Sequence, residues 1–257
     1  MKLIANDLRK IVLKMVYDKQ SGHIGGSFSI AELVSYLYNN FELLSEDGDK
    51  LILSKGHAVP ILYAALYELG ILSDDDLEKF REIDSPLQGH PDKLRLPQMH
   101  ATTGALGQGL SIAIGHALAF QLKGSSNKAF CILGDGELQE GQIWEALMLA
   151  PKYKLNNLVC FIDHNGAQND GLVSDILRVE PIDEKVSTFG WYTLRIDGND
   201  YDAIAEAIDS VPEDNELPIC IIMDTDKGSG VSFMKDPAWH AKVPNEEEYK
   251  QAMEELS

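Results

Sequence analysis

Positive charge is scarce in this chain: 22 Lys and Arg stand against 41 Asp and Glu in 257 residues, a formal net charge of −19. That balance argues against nucleic acid or an anionic membrane as partner, since both need a positive footprint. Long hydrophobic runs are missing too. No apolar stretch approaches the roughly 20 residues of a membrane span. The charged amphipathic start, Met1-Lys-Leu-Ile-Ala-Asn-Asp-Leu-Arg-Lys, lacks the apolar segment of a secretory signal, so the expected compartment is the cytoplasm. Cysteine is nearly absent. Cys131, Cys160 and Cys220 are far apart, without CxxC spacing, and each lies in an apolar run. They read as small core residues rather than as a disulfide or metal set, which fits a reducing compartment. Repeats, low-complexity tracts and long linkers are also lacking, so residues 1–257 read as a single domain large enough to bury a sizeable core.

What is present is an alternation of helices and strands. Apolar positions Leu3, Ile4, Leu8, Ile11, Val12, Met15 and Val16 predict an amphipathic helix over 2–19. Ser29 is placed to cap a second over 30–41. A strand at 51–54 and a helix ending at Gly70 follow, then a capped acidic helix over 73–83, with Ser73 and Asp76 as a variant capping box. Further helices are expected from about 109 to 122, 140 to 153, 181 to 189, 200 to 209 and 246 to 256, and strands at 191–196 and 219–224. Such βαβ wiring predicts an α/β fold, a parallel sheet with helices on both faces.

Two strand ends carry chemistry. Cys131-Ile-Leu-Gly134-Asp135-Gly136-Glu-Leu-Gln-Glu140-Gly141 and Val159-Cys-Phe-Ile-Asp163-His-Asn165-Gly166 each turn from a buried strand into Gly and oxygen-bearing side chains. Beyond the carboxyl ends of parallel strands, Asp135 and Asn165 could share one site. A carboxylate and an amide oxygen suit Mg2+ or Ca2+, completed by water and phosphate oxygens. The segment after Gly136 reads as a helix whose N-terminus would favour an anion. On so acidic a chain, a divalent cation is a reasonable way to neutralise one.

Gly134-Asp135-Gly136 followed by Asn165 resembles the thiamine-diphosphate (ThDP) motif, and Gly-Asp-Gly-Glu-Leu-Gln-Glu-Gly-Gln-Ile-Trp-Glu-Ala is similar to its transketolase version. Other blocks extend the resemblance over roughly residues 1–250: Ser21-Gly22-His23-Ile24-Gly25-Gly26-Ser27, Leu53-Ser54-Lys55-Gly56-His57-Ala58, Gln88-Gly89-His90-Pro91, Thr102-Thr103-Gly104-Ala105-Leu106-Gly107-Gln108-Gly109, Lys227-Gly228-Ser229-Gly230-Val231-Ser232 and Trp239-His240-Ala-Lys-Val-Pro244. The glycines at 104, 107 and 109 mimic a dinucleotide fingerprint, but no strand directly precedes them. The resemblance implies catalytic roles for His23, His57, His90 and His240. It implies cofactor contacts for His57, Gly104, Leu106, Gly134, Asp135, Gly136, Glu140, Asn165, Asn169, Lys227 and His240, and metal ligation by Asp135, Asn165 and the Ala167 carbonyl. His100 and His116 inherit no such role and read as structural. Ile24, Ala167 and Asn169 depart from the family pattern, and polar Asn169 replaces a side chain that packs on the cofactor.

The resemblance covers only the diphosphate-binding part of one-chain transketolases, so their pyrimidine-binding and C-terminal domains are expected on another chain. The resemblance therefore implies the N-terminal, diphosphate-binding subunit of a split transketolase, a transferase moving a two-carbon ketol unit from a ketose to an aldose. Its expected partners are a C-terminal subunit, in a heterotetramer, and a sugar or sugar-phosphate substrate. The alternatives are a related ThDP enzyme with another donor, pyruvate or a sugar-branching substrate, and a non-catalytic ThDP-binding subunit.

Overall fold

Five strands form one parallel sheet in the order β1-β2-β3-β7-β6: β1 Lys50–Leu53, β2 Ala129–Gly134, β3 Leu158–His164, β7 Ile219–Asp224 and β6 Tyr192–Asp197. A two-stranded ribbon, β4 Ala167–Gln168 and β5 Gly171–Leu172, hangs beyond the end of β3. The computed structural model describes residues 2–257. The central strands are continuous apolar runs, as expected where both faces of a parallel sheet are covered. Alternate side chains feed two cores: Phe130, Ile132, Val159 and Phe161 point to one face, and Cys131, Leu133, Cys160 and Ile162 to the other. Cys131, Cys160 and Cys220 lie side by side in register across β2, β3 and β7, free and fully buried, as small core residues.

The first core is closed by α1 (Ala5–Lys19), α3 (Ala31–Asn40), α4 (Pro60–Glu68) and α10 (Tyr201–Asp209), and the second by α6 (Gly109–Lys123), α7 (Gly141–Lys152) and α9 (Ile182–Thr188). Short turns α2 (Gly25–Phe28), α5 (Asp74–Glu78) and α8 (Val173–Ile176) and the terminal α11 (Glu246–Glu255) complete the chain. No helix among the described residues is long and apolar enough to cross a membrane.

Three local expectations need correction. The helix expected over 73–83 stops at Glu78, although its Ser73–Asp76 capping box is present; the chain then turns through left-handed residues at Arg81 (φ 62°) and Asp84 (φ 67°). Ser29 does not cap α3: it lies in helical conformation (φ −59°) at the end of α2, Ile30 precedes α3, and its hydroxyl donates to the buried Asp163 carboxylate at 2.7 Å. The segment after Gly136 is a single 3-10 turn, Gly136–Gln139, too short to present a helix dipole; α7 begins only after Glu140.

Candidate active site

The carboxyl ends of β2 and β3 are paired in register, Gly134 opposite Asp163, which brings Asp135 and Asn165 to one crevice. Asp135 is 2% exposed. One of its oxygens accepts the Gly136 N–H at 2.8 Å and the other the Gly166 N–H at 2.7 Å. Burial, reinforced by the neighbouring Asp163 charge, pushes its carboxyl up to about 6. The Asn165 amide nitrogen donates to Asp163 at 2.8 Å, so its oxygen is left as the free end, touched only by the Ala167 N–H at 3.2 Å. The Ala167 carbonyl accepts from the Lys227 ammonium at 2.9 Å.

Two buried carboxylates that periodicity could not flag organise this crevice. Asp163, fully buried, accepts from Lys55, from Ser29 at 2.7 Å, from Thr225 at 2.5 Å and from Asn165. Burial raises its pKa, yet the Lys55 charge and these donors outweigh it and hold the carboxylate below its usual range. Glu137 accepts the Ser54 hydroxyl at 2.5 Å, the Gly107 N–H at 2.8 Å and the Gly134 N–H at 3.1 Å. One side chain thus ties together three loops: that after β1, that before α6, and the end of β2. Gly107 is needed at its place, with φ 86° and space for a Cβ only 2.8 Å from the Cβ of Glu140.

The four histidines converge. Ring centroids are 5.3 Å apart for His23 and His57, 4.9 Å for His57 and His240, 5.4 Å for His23 and His240, and 6.4 Å for His23 and His90. Burial lowers every one of them: His23 to about 4, with Arg81 adding, and His240 to about 3, with Lys227 adding. His57 falls well below the ordinary value through burial and then Lys55, and the more exposed His90 falls through burial and Arg81. Lys227, brought down to about 8 by burial and then by Lys55, lies 3.0 Å from His240 Nδ1. The lysine donates, so the imidazole is the acceptor and neutral. A cluster of neutral imidazoles can take protons from hydroxyls and return them.

A cavity of about 240 Å³ opens between these groups. Every residue expected to contact the cofactor lines it except Gly104, which stands behind, its backbone against the His90 ring. His23 and His90 flank the histidine cluster outside that lining. Sequence reading missed Lys55, Glu137, Gln139, Gln168 and Asp170, which also line the cavity. Asn169 is exposed and donates to Asp170 at 3.2 Å, so it contributes a polar wall. His100 is structural, its Nδ1 accepting the Leu51 N–H at 2.8 Å.

The family described as "Transketolase, thiamine diphosphate binding domain" matches residues 1–257. The chain belongs to the transketolase family. Among its relatives is an apulose-4-phosphate transketolase subunit from Actinobacillus succinogenes, 39% identical over 255 residues that cover 96% of this chain and 92% of that protein. A 6-deoxy-6-sulfo-D-fructose transketolase subunit from a Clostridium species is 40% identical over 261 residues, covering 98% and 94%. Solved transketolases share the fold. The Campylobacter jejuni enzyme superposes with a TM-score of 0.92 at 32% identity, and the Pichia stipitis enzyme, in a complex with sedoheptulose-7-phosphate, with 0.92 at 29%. Each match covers 98% of this chain but only 42% and 40% of those transketolases.

Proposed function

We propose that this transketolase-family chain is the N-terminal subunit of a split transketolase, a transferase moving a two-carbon ketol unit between a ketose and an aldose. The observation that carries the reading is the joining of two halves in one crevice: Asp135 and Asn165 at one end, and His57 and His240 at the other, with His23 and His90 clustered beside them. Its similarity over nearly the full length of relatives named as subunits supports a division of labour between chains. A single diphosphate-binding domain on this chain and a pyrimidine-binding domain on a C-terminal partner, in a heterotetramer, follow from that reading. A cytoplasmic location goes with it, supported by three unpaired buried cysteines.

The donor set fits a divalent cation. No three His, Cys, Asp or Glu side chains converge on a metal among the described residues. Asp135, the Asn165 oxygen and the Ala167 carbonyl would therefore hold Mg2+ or Ca2+ together with water and phosphate oxygens. Asp135 is an ionisable carboxyl raised by burial, and a cation beside it would restore the charged form. Lys227, already on the Ala167 carbonyl, is placed to balance the remaining phosphate charge.

Thiamine diphosphate, when bound, supplies the carbon nucleophile and electron sink for breaking and remaking the bond next to a carbonyl. The chain's own residues do the rest. His57 borders the cavity and, neutral, accepts a hydroxyl proton of a substrate and hands it back, while His240, its Nδ1 taken by Lys227, offers its Nε2–H to a substrate oxygen. His23 and His90 extend the same surface, orienting hydroxyls further along the sugar. Glu140 and Leu106 stand exposed at the cavity's mouth, where a partner chain would close it and exclude water.

The test is isothermal calorimetry of ThDP binding with Mg2+. The wild-type chain is expected to bind only when the metal is present, and Asp135→Ala to lose at least tenfold in affinity. Unaltered binding by the variant would overturn the site.

A further inference from the structure

Behind the metal-facing loop, four charged or titratable side chains meet that the reaction does not use. Arg195 on β6 holds Asp224 at the end of β7 bidentately, Nε to one oxygen at 2.8 Å and Nη2 to the other at 2.7 Å. The same Nη2 reaches Glu180 Oε1 at 3.0 Å. His164, the last residue of β3, bridges the same two carboxylates, Nδ1 to Asp224 at 2.7 Å and Nε2 to Glu180 at 3.2 Å. Glu180 is fixed in turn, its second oxygen accepting the Ile182 N–H at 2.6 Å.

The topology gives this cluster its meaning. His164 and Glu180 are the two ends of one excursion, and between them lie Asn165, Ala167, Asn169 and Asp170, the wall of the cofactor cavity. Within it, other than its own short ribbon and turns, the polar fixings to the body are Asn165 Nδ2 to Asp163, Gly166 N–H to Asp135, Lys227 to the Ala167 carbonyl, Gln139 Nε2 to Gln168 and to the Leu177 carbonyl, and Lys185 to the Val179 carbonyl, while Val173 and Val179 tuck into the core. We infer that Arg195 is a positioning residue: by pinning Glu180 and Asp224 it closes the base of the 165–180 loop and holds Asn165 and Ala167 in their cofactor-binding arrangement.

An exposed ion pair adds little to global stability. A loop open most of the time, however, lowers apparent affinity by the fraction that remains closed. Arg195→Ala should therefore leave the melting temperature nearly unchanged yet weaken ThDP binding with Mg2+ about tenfold, as if roughly a tenth of molecules kept the closed loop. Arg195→Lys, keeping the charge but losing the bidentate fork, should recover part of that loss. In the unliganded chain, hydrogen–deuterium exchange should quicken for amides 166–180 in Arg195→Ala and stay unchanged in β6 and β7.

Equal affinity and equal loop exchange in the variant would overturn the inference. So would faster exchange throughout the sheet with a lower melting temperature, which would make Arg195 merely structural. The inference rests on the cofactor reading above only for its affinity arm. If Asp135→Ala also bound ThDP normally, that reading would fall, while the unliganded exchange measurement would still decide whether Arg195 closes the loop.

Discussion

At the scale of single residues, burial fixes the charge of the histidine cluster. His23 falls from an ordinary value near 6.5 to about 4 through burial, helped by Arg81. A histidine with a lowered folded value binds fewer protons than the unfolded chain, so its contribution to stability is complete above about 6.5 and is lost as pH falls from there toward 4. The unliganded chain should therefore melt at a lower temperature at pH 5 than at pH 7. His23→Asn should shrink the corresponding difference in unfolding free energy by about 1 kcal/mol, after allowance for partial exposure; an unchanged difference would mean that His23 is solvated. His240 is the complementary case. With Lys227 donating to its Nδ1 at 3.0 Å, the neutral ring carries its proton on Nε2 and offers that N–H to a substrate oxygen. His240→Ala is expected to lower turnover of the complete enzyme by about a hundredfold or more while ThDP affinity changes by less than about threefold. Unchanged turnover would remove it from the chemistry.

Elements were legible in the sequence wherever the signal was local. The strands ending at Gly134, His164 and Asp224 follow from uninterrupted apolar runs, and the capping box at Ser73 and Asp76 from four consecutive residues. Legibility failed where a distant partner decides. Ser29 looks like a cap, but its hydroxyl is claimed by Asp163, 134 positions away. Lys55, Asp163 and Glu137 carry charges into the interior, and nothing in spacing announces that each will find its counterpart across the sheet. Asp135 and Asn165 were legible from the two strand ends, but the histidines only as a resemblance of ordered blocks; no periodicity brings residues 23, 57, 90 and 240 together. Glu137 shows what such a missed group does for an element. Truncated in Glu137→Ala, it would leave the Ser54 hydroxyl and the Gly107 and Gly134 N–H groups buried without acceptors. The cost should be about 3 kcal/mol, a fall of roughly 5–10 °C in melting temperature. Glu137→Gln, which keeps an acceptor oxygen, should lose much less, and equal losses in both would show that the negative charge itself holds the three loops.

Across the whole molecule, the acidic surface and the cofactor cavity pull in different directions. A net charge of −19 repels a diphosphate at long range, yet the crevice concentrates Lys55, Lys227 and the proposed cation ligands Asp135 and Asn165 at one point. Around the cavity's mouth the surface turns apolar: Leu106 is 37% exposed, Leu172 44%, Ile176 43% and Leu177 57%. A partner chain seated there would cover both this rim and the open side of the cofactor. Binding of partner and cofactor is then coupled, and coupling between two ligands of one protein is reciprocal. The factor by which ThDP with Mg2+ tightens the partner's binding must equal the factor by which the partner tightens ThDP. Measured by calorimetry in both directions, each factor is expected to be about tenfold or more. Leu177→Glu, which places a charge in the rim without touching Asp135 or Asn165, should weaken partner binding while leaving ThDP binding to the isolated chain unaltered. Factors near one in both directions would mean that no second chain contacts the cofactor, and the division of the enzyme between two chains would have to be given up.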